Sequence, residues 1–307
     1  MALLPIFLLL TAQICPPQED IHPCLCKQLP YGANVFCTNI ETDAIMERVF
    51  TNLRGHKCQQ LTISRFNAST LRPDVFKGLH IERLDLDRIE VDDASFRPSI
   101  RHFQGLEGSL EVLDIKKSFI TRGLTYLQLN HLLKLKDAIF EQNKIPEVDD
   151  NWFNGGPSGL STLIFEKNGI EVLGDRAFSS LSNLKTLAVA GNYIRELKRS
   201  MFPESANQLQ MLDLASNSLR ELPTNLFSDM PSLIHLNLEN NFIHLMHENT
   251  FSSILSGNTQ VFINGNPLEC SENLKWVCKS SLNGLVEGKC SNPGGSDKKT
   301  IHLFCEE

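Results

Sequence analysis

The residues best placed for chemistry are nine cysteines in a chain of 307 residues. Cys15, Cys24, Cys26 and Cys37 stand near one end, Cys270, Cys278, Cys290 and Cys305 near the other, and Cys58 alone. Thiols can pair, bind zinc or attack an electrophile. A zinc site needs CxxC pairs with His partners, and Cys24-x-Cys26 is tighter than that, so no metal is expected. Residues 1–14 carry an apolar run, Leu3-Leu4-Pro5-Ile6-Phe7-Leu8-Leu9-Leu10. It is too short to span a bilayer and has the length of a signal-peptide core, with cleavage expected between Ala12 and Cys15. Behind such a leader, four cysteines plus four read as two disulfide knots in a secreted, extracellular protein. No later stretch is long enough to cross a membrane, and no GPI-anchor tail is expected.

Other reactive patterns are sparse. His244-x-x-His247-Glu248 comes nearest to a metal motif, but no third ligand is evident and it reads as a solvated loop. Gly155-Gly156-Pro157-Ser158-Gly159 reads as the turn before a strand at Leu160. There is no G-x-S-x-G elbow, phosphate-binding loop or H-E-x-x-H helix, so neither an enzyme nor a cofactor is expected. A net charge of −7 argues against a nucleic-acid partner, which needs a concentrated basic face.

The elements that must hold these residues come from an internal repeat. The pattern LxxLxLxxNxL is clearest at Leu160-Leu163-Phe165-Asn168-Ile170, Leu184-Leu187-Val189-Asn192-Ile194, Leu209-Leu212-Leu214-Asn217-Leu219 and Leu233-Leu236-Leu238-Asn241-Ile243. Weaker copies begin at Cys58, Ile81, Leu110, Leu135 and Asn258, and the starts lie 23 to 29 residues apart. The pattern predicts an α/β leucine-rich-repeat solenoid, curved, with a parallel β-sheet on its concave face and disulfide-bonded caps at both ends. The expected division is a signal peptide over 1–14, an N-terminal cysteine-rich cap over 15–57, about nine repeats over 58–268 and a C-terminal cysteine-rich cap over 269–307.

Each recurring position has a physical task. The LxL portion is a strand whose alternate side chains point inward. The Asn column (Asn143, Asn168, Asn192, Asn217, Asn241, Asn266) can satisfy backbone groups left unpaired where the chain bends away from the sheet. Ten residues after five of these come Phe153, Phe178, Phe202, Phe227 and Phe251, with Phe76 and Phe96 at similar places earlier. They account for much of the Phe excess, 18 against 3 Tyr and 2 Trp, and should form a buried spine. Ile45, Val49 and Leu53 recur at helical spacing between Thr42 and Leu53, so the first cap should carry a short amphipathic helix. Trp276 should anchor the second cap. Cys58, in the first apolar position of the first repeat, reads as a buried free thiol.

The opening Cys15-Pro16-Pro17-Gln18-Glu19-Asp20-Ile21-His22-Pro23-Cys24-Leu25-Cys26, the repeat array and the Asn266-Pro267-Leu268…Cys270 cap together resemble a group of secreted arthropod repeat proteins. That group is typified by the non-catalytic subunit of Oplophorus-luciferin 2-monooxygenase. The resemblance covers essentially the whole mature chain and implies a non-enzymatic companion of another protein. It also implies the pairing Cys15–Cys26, Cys24–Cys37, Cys270–Cys290 and Cys278–Cys305. Where the family's end cap has a CxC, this chain has Glu272 two residues after Cys270, and its extra cysteine is Cys278.

Repeat phase also names the concave surface. The middle column should read Thr62, Asp85, Asp114, Ile139, Ile164, Ala188, Asp213, Asn237 and Phe262. The early repeats carry both signs of charge and read as a solvated face. Around Ile139, Ile164, Ala188, Ala190 and Ala215 the surface turns small and apolar. A partner protein is expected to dock there, with Glu141, Glu166 and Lys167 as a polar rim. An Arg at Ala188 is expected to block docking without harming the fold. Self-association through the concave face, as in an extracellular matrix protein, is the alternative. Asn67-Ala68-Ser69 is the only N-x-S/T sequon and an expected glycan site.

Overall fold

The computed structural model describes residues 14–67, 72, 74–91, 101–120, 127–282, 284–292 and 298–306. The leader expected over 1–14 therefore lies outside the described residues except for its last position, Ile14. Phe96 also lies outside them, as do Ala68 and Ser69 of the sequon.

The N-terminal end holds α1 (Gln18–Ile21), an antiparallel pair β1 (Leu25–Leu29) and β2 (Gly32–Thr38), and α2 (Asp43–Leu53). Strands β3 (Lys57–Asn67), β4 (His80–Val91), β5 (Val112–Lys116), β6 (Phe119–Ile120), β7 (Asp137–Glu141), β8 (Glu147–Val148), β9 (Thr162–Glu166) and β10 (Val172–Leu173) follow. Then come β11 (Thr186–Ala188), β12 (Met211–Asp213), β13 (His235–Asn237), α3 (Glu248–Leu255) and β14 (Gln260–Phe262). The chain closes with β15 (Leu268–Glu269), β16 (Val286–Glu287), β17 (Lys289–Ser291), β18 (Lys298–Thr300) and α4 (Ile301–Phe304). One sheet runs the length of the molecule in the order β1-β2-β3-β4-β5-β7-β9-β11-β12-β13-β14-β16, with β6 beside β4. From β2 onward its neighbours are parallel, so each strand reaches the next by a crossover through one repeat.

Alternation along each strand divides core from surface. Ala138 and Phe140 of β7 and Leu163 and Phe165 of β9 are buried, while Asp137, Ile139, Glu141, Thr162, Ile164 and Glu166 are half-exposed. The Asn column turns inward as expected. The Asn192, Asn217, Asn241 and Asn266 amides each donate to a carbonyl of the preceding repeat and to one of their own, and their oxygens accept N–H groups from the repeat before. In the third repeat Ser118 takes this place, its hydroxyl accepting the Ile89 N–H at 3.1 Å. The first two repeats carry buried Phe66 and Ile89 instead. Without a polar group to satisfy a bend, β3 and β4 run on for 11 and 12 residues.

Behind the sheet the Phe spine is continuous in stretches. Phe50, Phe76 and Phe103 stand 5.6 and 5.8 Å apart, Phe153, Phe178 and Phe202 6.5 and 6.3 Å apart, and Phe227 and Phe251 5.6 Å apart. Phe103 and the buried Trp152, which lies edge-on to Phe140 and Phe165, were not foreseen from the repeat. One repeat start needs correction. Asn258 is exposed, and Thr259 fills the inward position, its hydroxyl bonded to the Leu233 and Ile254 carbonyls. The turn at Gly257-Asn258, with Asn258 at φ +64°, shifts the chain by one residue.

Both ends are closed covalently. Cys15–Cys26 and Cys24–Cys37 tie the first hairpin, and α2 buries Met46, Val49, Phe50 and Leu53 beneath it, with Thr42 capping its N-terminus. Cys270–Cys290 and Cys278–Cys305 tie β15, β17, β18 and α4 over the last repeat. These are the pairs that the resemblance implies, and Cys278 reaches Cys305 despite the missing CxC. Trp276 packs 6.2 Å from Phe251 and donates its indole N–H to the Met246 carbonyl at 3.0 Å. Cys58 is free and buried, and burial pushes its thiol up to about 11. Among the described residues no helix is long and apolar enough to cross a membrane.

Candidate protein-binding face

Strand pairing places the middle column side by side. The partners run Phe36, Thr62, Asp85, Asp114, Ile139, Ile164, Ala188, Asp213, Asn237, Phe262 and Glu287, one residue per strand. Adjacent members are separated by the strand spacing of about 4.8 Å. The column read from the sequence is thus contiguous, and the caps extend it by Phe36 and Glu287. Continuing the same phase one strand past each end of the repeats is the signal that would have found them.

At the N-terminal side the charges neutralise one another. Arg83 reaches Asp85 at 2.8 Å and Asp114 at 3.0 Å, and Lys116 reaches Asp114 at 3.3 Å and Glu141 at 3.4 Å. Gln60 donates to Asp85 at 2.6 Å. Asp114 is only 5% exposed, and burial raises its pKa against the pull of Lys116 and Arg83. Its second oxygen, Oδ1, is buried without a hydrogen-bond partner among the described residues. Asp114 stands in register with Ile139, so the ion-pair ladder ends where the apolar zone begins.

Of the five residues expected to receive a partner, Ile139, Ile164 and Ala190 are half-exposed. Ala188 and Ala215 are 6% and 9% exposed, yet both stand outside the contiguous apolar core. They are the floor of a trough, overshadowed by longer neighbours on the face. This corrects the expectation for Ala188. Expected to face open solvent, it is instead only 6% exposed, flanked in register by Ile164 and Asp213, so an Arg there must rise past these neighbours and tests their packing as well as docking. At the C-terminal end Phe262 lies 4.8 Å from the His235 ring, an aromatic pair the repeat pattern did not single out.

A second regularity borders the face. Arg65, Arg88, Lys117, Gln142, Lys167, Ser216 and Asn240 all have φ between +51° and +55°, and Gly191 and Gly265 hold +70° and +75° at equivalent places. This is the residue just before each ladder position, where the chain leaves the strand. From Lys117 to Asn240 its N–H donates to a carbonyl of the next repeat. The charged row along that edge is therefore fixed by backbone geometry. His244 and His247 are exposed, and Glu248 pairs with Lys279.

The leucine rich repeat family matches residues 207–268. The fold is a leucine-rich-repeat solenoid. It is similar to the solved structure of a TLR13–ssRNA13 complex, with a TM-score of 0.57 and 22% identity. The match covers 82% of this chain and 40% of that one, so this chain spans less than half the length of its structural neighbour. At that identity the likeness shows the fold alone.

Proposed function

We propose that this chain is a secreted, non-catalytic protein-binding scaffold whose partner docks on the concave sheet over Ile139, Ile164, Ala188, Ala190 and Ala215. The observation that carries this reading is the break in side-chain type along one contiguous column. Paired charges give way to two half-exposed Ile residues and an alanine floor on adjacent strands. A rigid sheet with a shallow apolar trough and a polar rim is suited to burying a protruding side chain of a partner. Four disulfides support an oxidising, extracellular setting. A glycan on Asn67, which ends β3, belongs to the same reading. The resemblance to the luciferase companion suggests an accessory subunit as the physiological form.

Nucleic acid, named for the structural neighbour, is disfavoured here because the trough is bordered by carboxylates that would repel phosphate. The test is affinity capture from the source secretion with the parent protein and with an Ile139→Ser/Ile164→Ser variant, read by mass spectrometry. The reading expects a protein retained by the parent and lost by the variant. Equal capture by both would place the docking site elsewhere, foremost on the charged edge at Arg65, Arg88 and Lys117.

A further inference from the structure

We infer that the concave face takes a basic partner segment, one that presents Lys or Arg side chains around an apolar ridge, and not a second copy of this chain. The inference rests on the docking face proposed above and adds its charge chemistry. From Ile139 to Phe262, the middle column and the outward positions two residues before and two after each of its members hold Asp137, Glu141, Glu166, Asp213 and Glu239, with no Lys or Arg among them. Glu141 is partly neutralised by Lys116. Asp137, Glu166, Asp213 and Glu239 have no salt-bridge partner among the described residues. Lys167 stands on the turn column beside Glu166, and its stem passes close to Gly191 at the edge of the sheet. Carboxylates beside an apolar floor act in a reduced dielectric, where an incoming cation gains more than it does in open water. Two copies meeting through this face would bring equal acidic rims together on molecules each carrying −7, and like charges across an interface are costly.

The test uses two helical peptides as probes, with identical Leu ridges at i, i+3, i+4 and i+7 spacing and either Lys or Glu at every other position. Binding to the full, disulfide-intact chain is followed by fluorescence anisotropy, and the mass of the free chain by sedimentation velocity. The Lys peptide is expected to bind and to weaken as salt rises. Its affinity should drop at least about five-fold with Asp137→Asn/Glu166→Gln, which removes charge at constant shape, and again with Ile139→Ser/Ile164→Ser. Unchanged melting curves establish that these half-exposed positions leave the fold intact. If the Glu peptide binds instead, and binding is lost with the Ile substitutions, the docking face stands and its basic partner is overturned. Lys-peptide binding indifferent to the Ile substitutions would overturn the inference, since the charge attraction would then lie off the trough. A dimer of the free chain abolished by those substitutions would make a second copy the occupant. Binding of neither peptide would overturn the inference and count against the face itself.

Discussion

The side-chain oxygen of Asn192 accepts the backbone N–H of Asn168, one repeat earlier, at 3.0 Å. The same oxygen accepts Ile170 N–H at 3.0 Å, and the amide donates to the carbonyls of Phe165 and Val189 at 2.6 and 2.8 Å. One buried side chain thus satisfies the bend of two repeats. Asn192→Ala should cost roughly 1–3 kcal/mol for each group it orphans. Phe202→Ala, which empties a buried ring site in the spine, should cost roughly 3–5 kcal/mol. Denaturant melts of the two variants check both, and unchanged midpoints would mean that the repeat phase is wrong.

The turn column makes a contrasting pair. Ser216 holds φ +55°, a region that penalises any Cβ, so Ser216→Gly should leave stability unchanged or raise it by up to about 1 kcal/mol. Gly265 holds φ +75°, and a Cβ there would fall 2.2 Å from Asn240 Oδ1. Gly265→Ala should therefore destabilise, by about 1–3 kcal/mol. Thermal unfolding of the two variants in parallel would test the column; a shift of the same sign in both would contradict it.

His131 should make stability fall in mild acid. Its Nε2–H donates to the His102 carbonyl at 2.7 Å, and its Nδ1 is buried without a partner among the described residues. Burial lowers its pKa below the ordinary value; Arg101 adds to this, and Glu107 and the carbonyl oppose it. The fold favours the neutral ring, so this contribution is complete above about pH 6.5 and is lost as pH falls through the lowered value. Urea melts across that range should show the parent losing stability faster than His131→Gln. Parallel slopes would refute the assignment.

Cys58 should be inert in the native protein. Its buried thiol, pushed up to about 11, supplies almost no thiolate at neutral pH. A disulfide reagent should label it only as fast as the chain unfolds. Rapid labelling in native buffer would contradict the buried placement.

Much of this architecture was legible because a repeat states the same constraint many times. Leu163, Leu187, Leu212 and Leu236 fix the inward phase, and from that phase the concave column followed strand by strand. What escaped was of two kinds. Depth depends on neighbours across strands: Ala188 is overshadowed by Ile164 and Asp213, which no single repeat can show. Local departures from the repeat were also hidden. Phe66 and Ile89 replace the ladder Asn and lengthen two strands, Thr259 takes the place expected of Asn258, and α3 winds where other repeats make turns. The left-handed column was invisible because Arg, Lys, Gln and Ser fill a conformation usually flagged by Gly.

The central claim, that the trough between Ile139 and Ala215 receives a protein partner, is tested most directly by one affinity comparison. The dissociation constant of the captured partner is measured for the parent, for Ile164→Asp, and for Val172→Asp as a control. Val172 is likewise apolar and, at 52%, more exposed than the half-exposed Ile164, but it lies on β10, away from the concave sheet. The account predicts binding at least about ten-fold weaker for Ile164→Asp, a loss of roughly 1.4 kcal/mol, with Val172→Asp unchanged and all three melting alike. Equal affinity of parent and Ile164→Asp, with the fold intact, would contradict it.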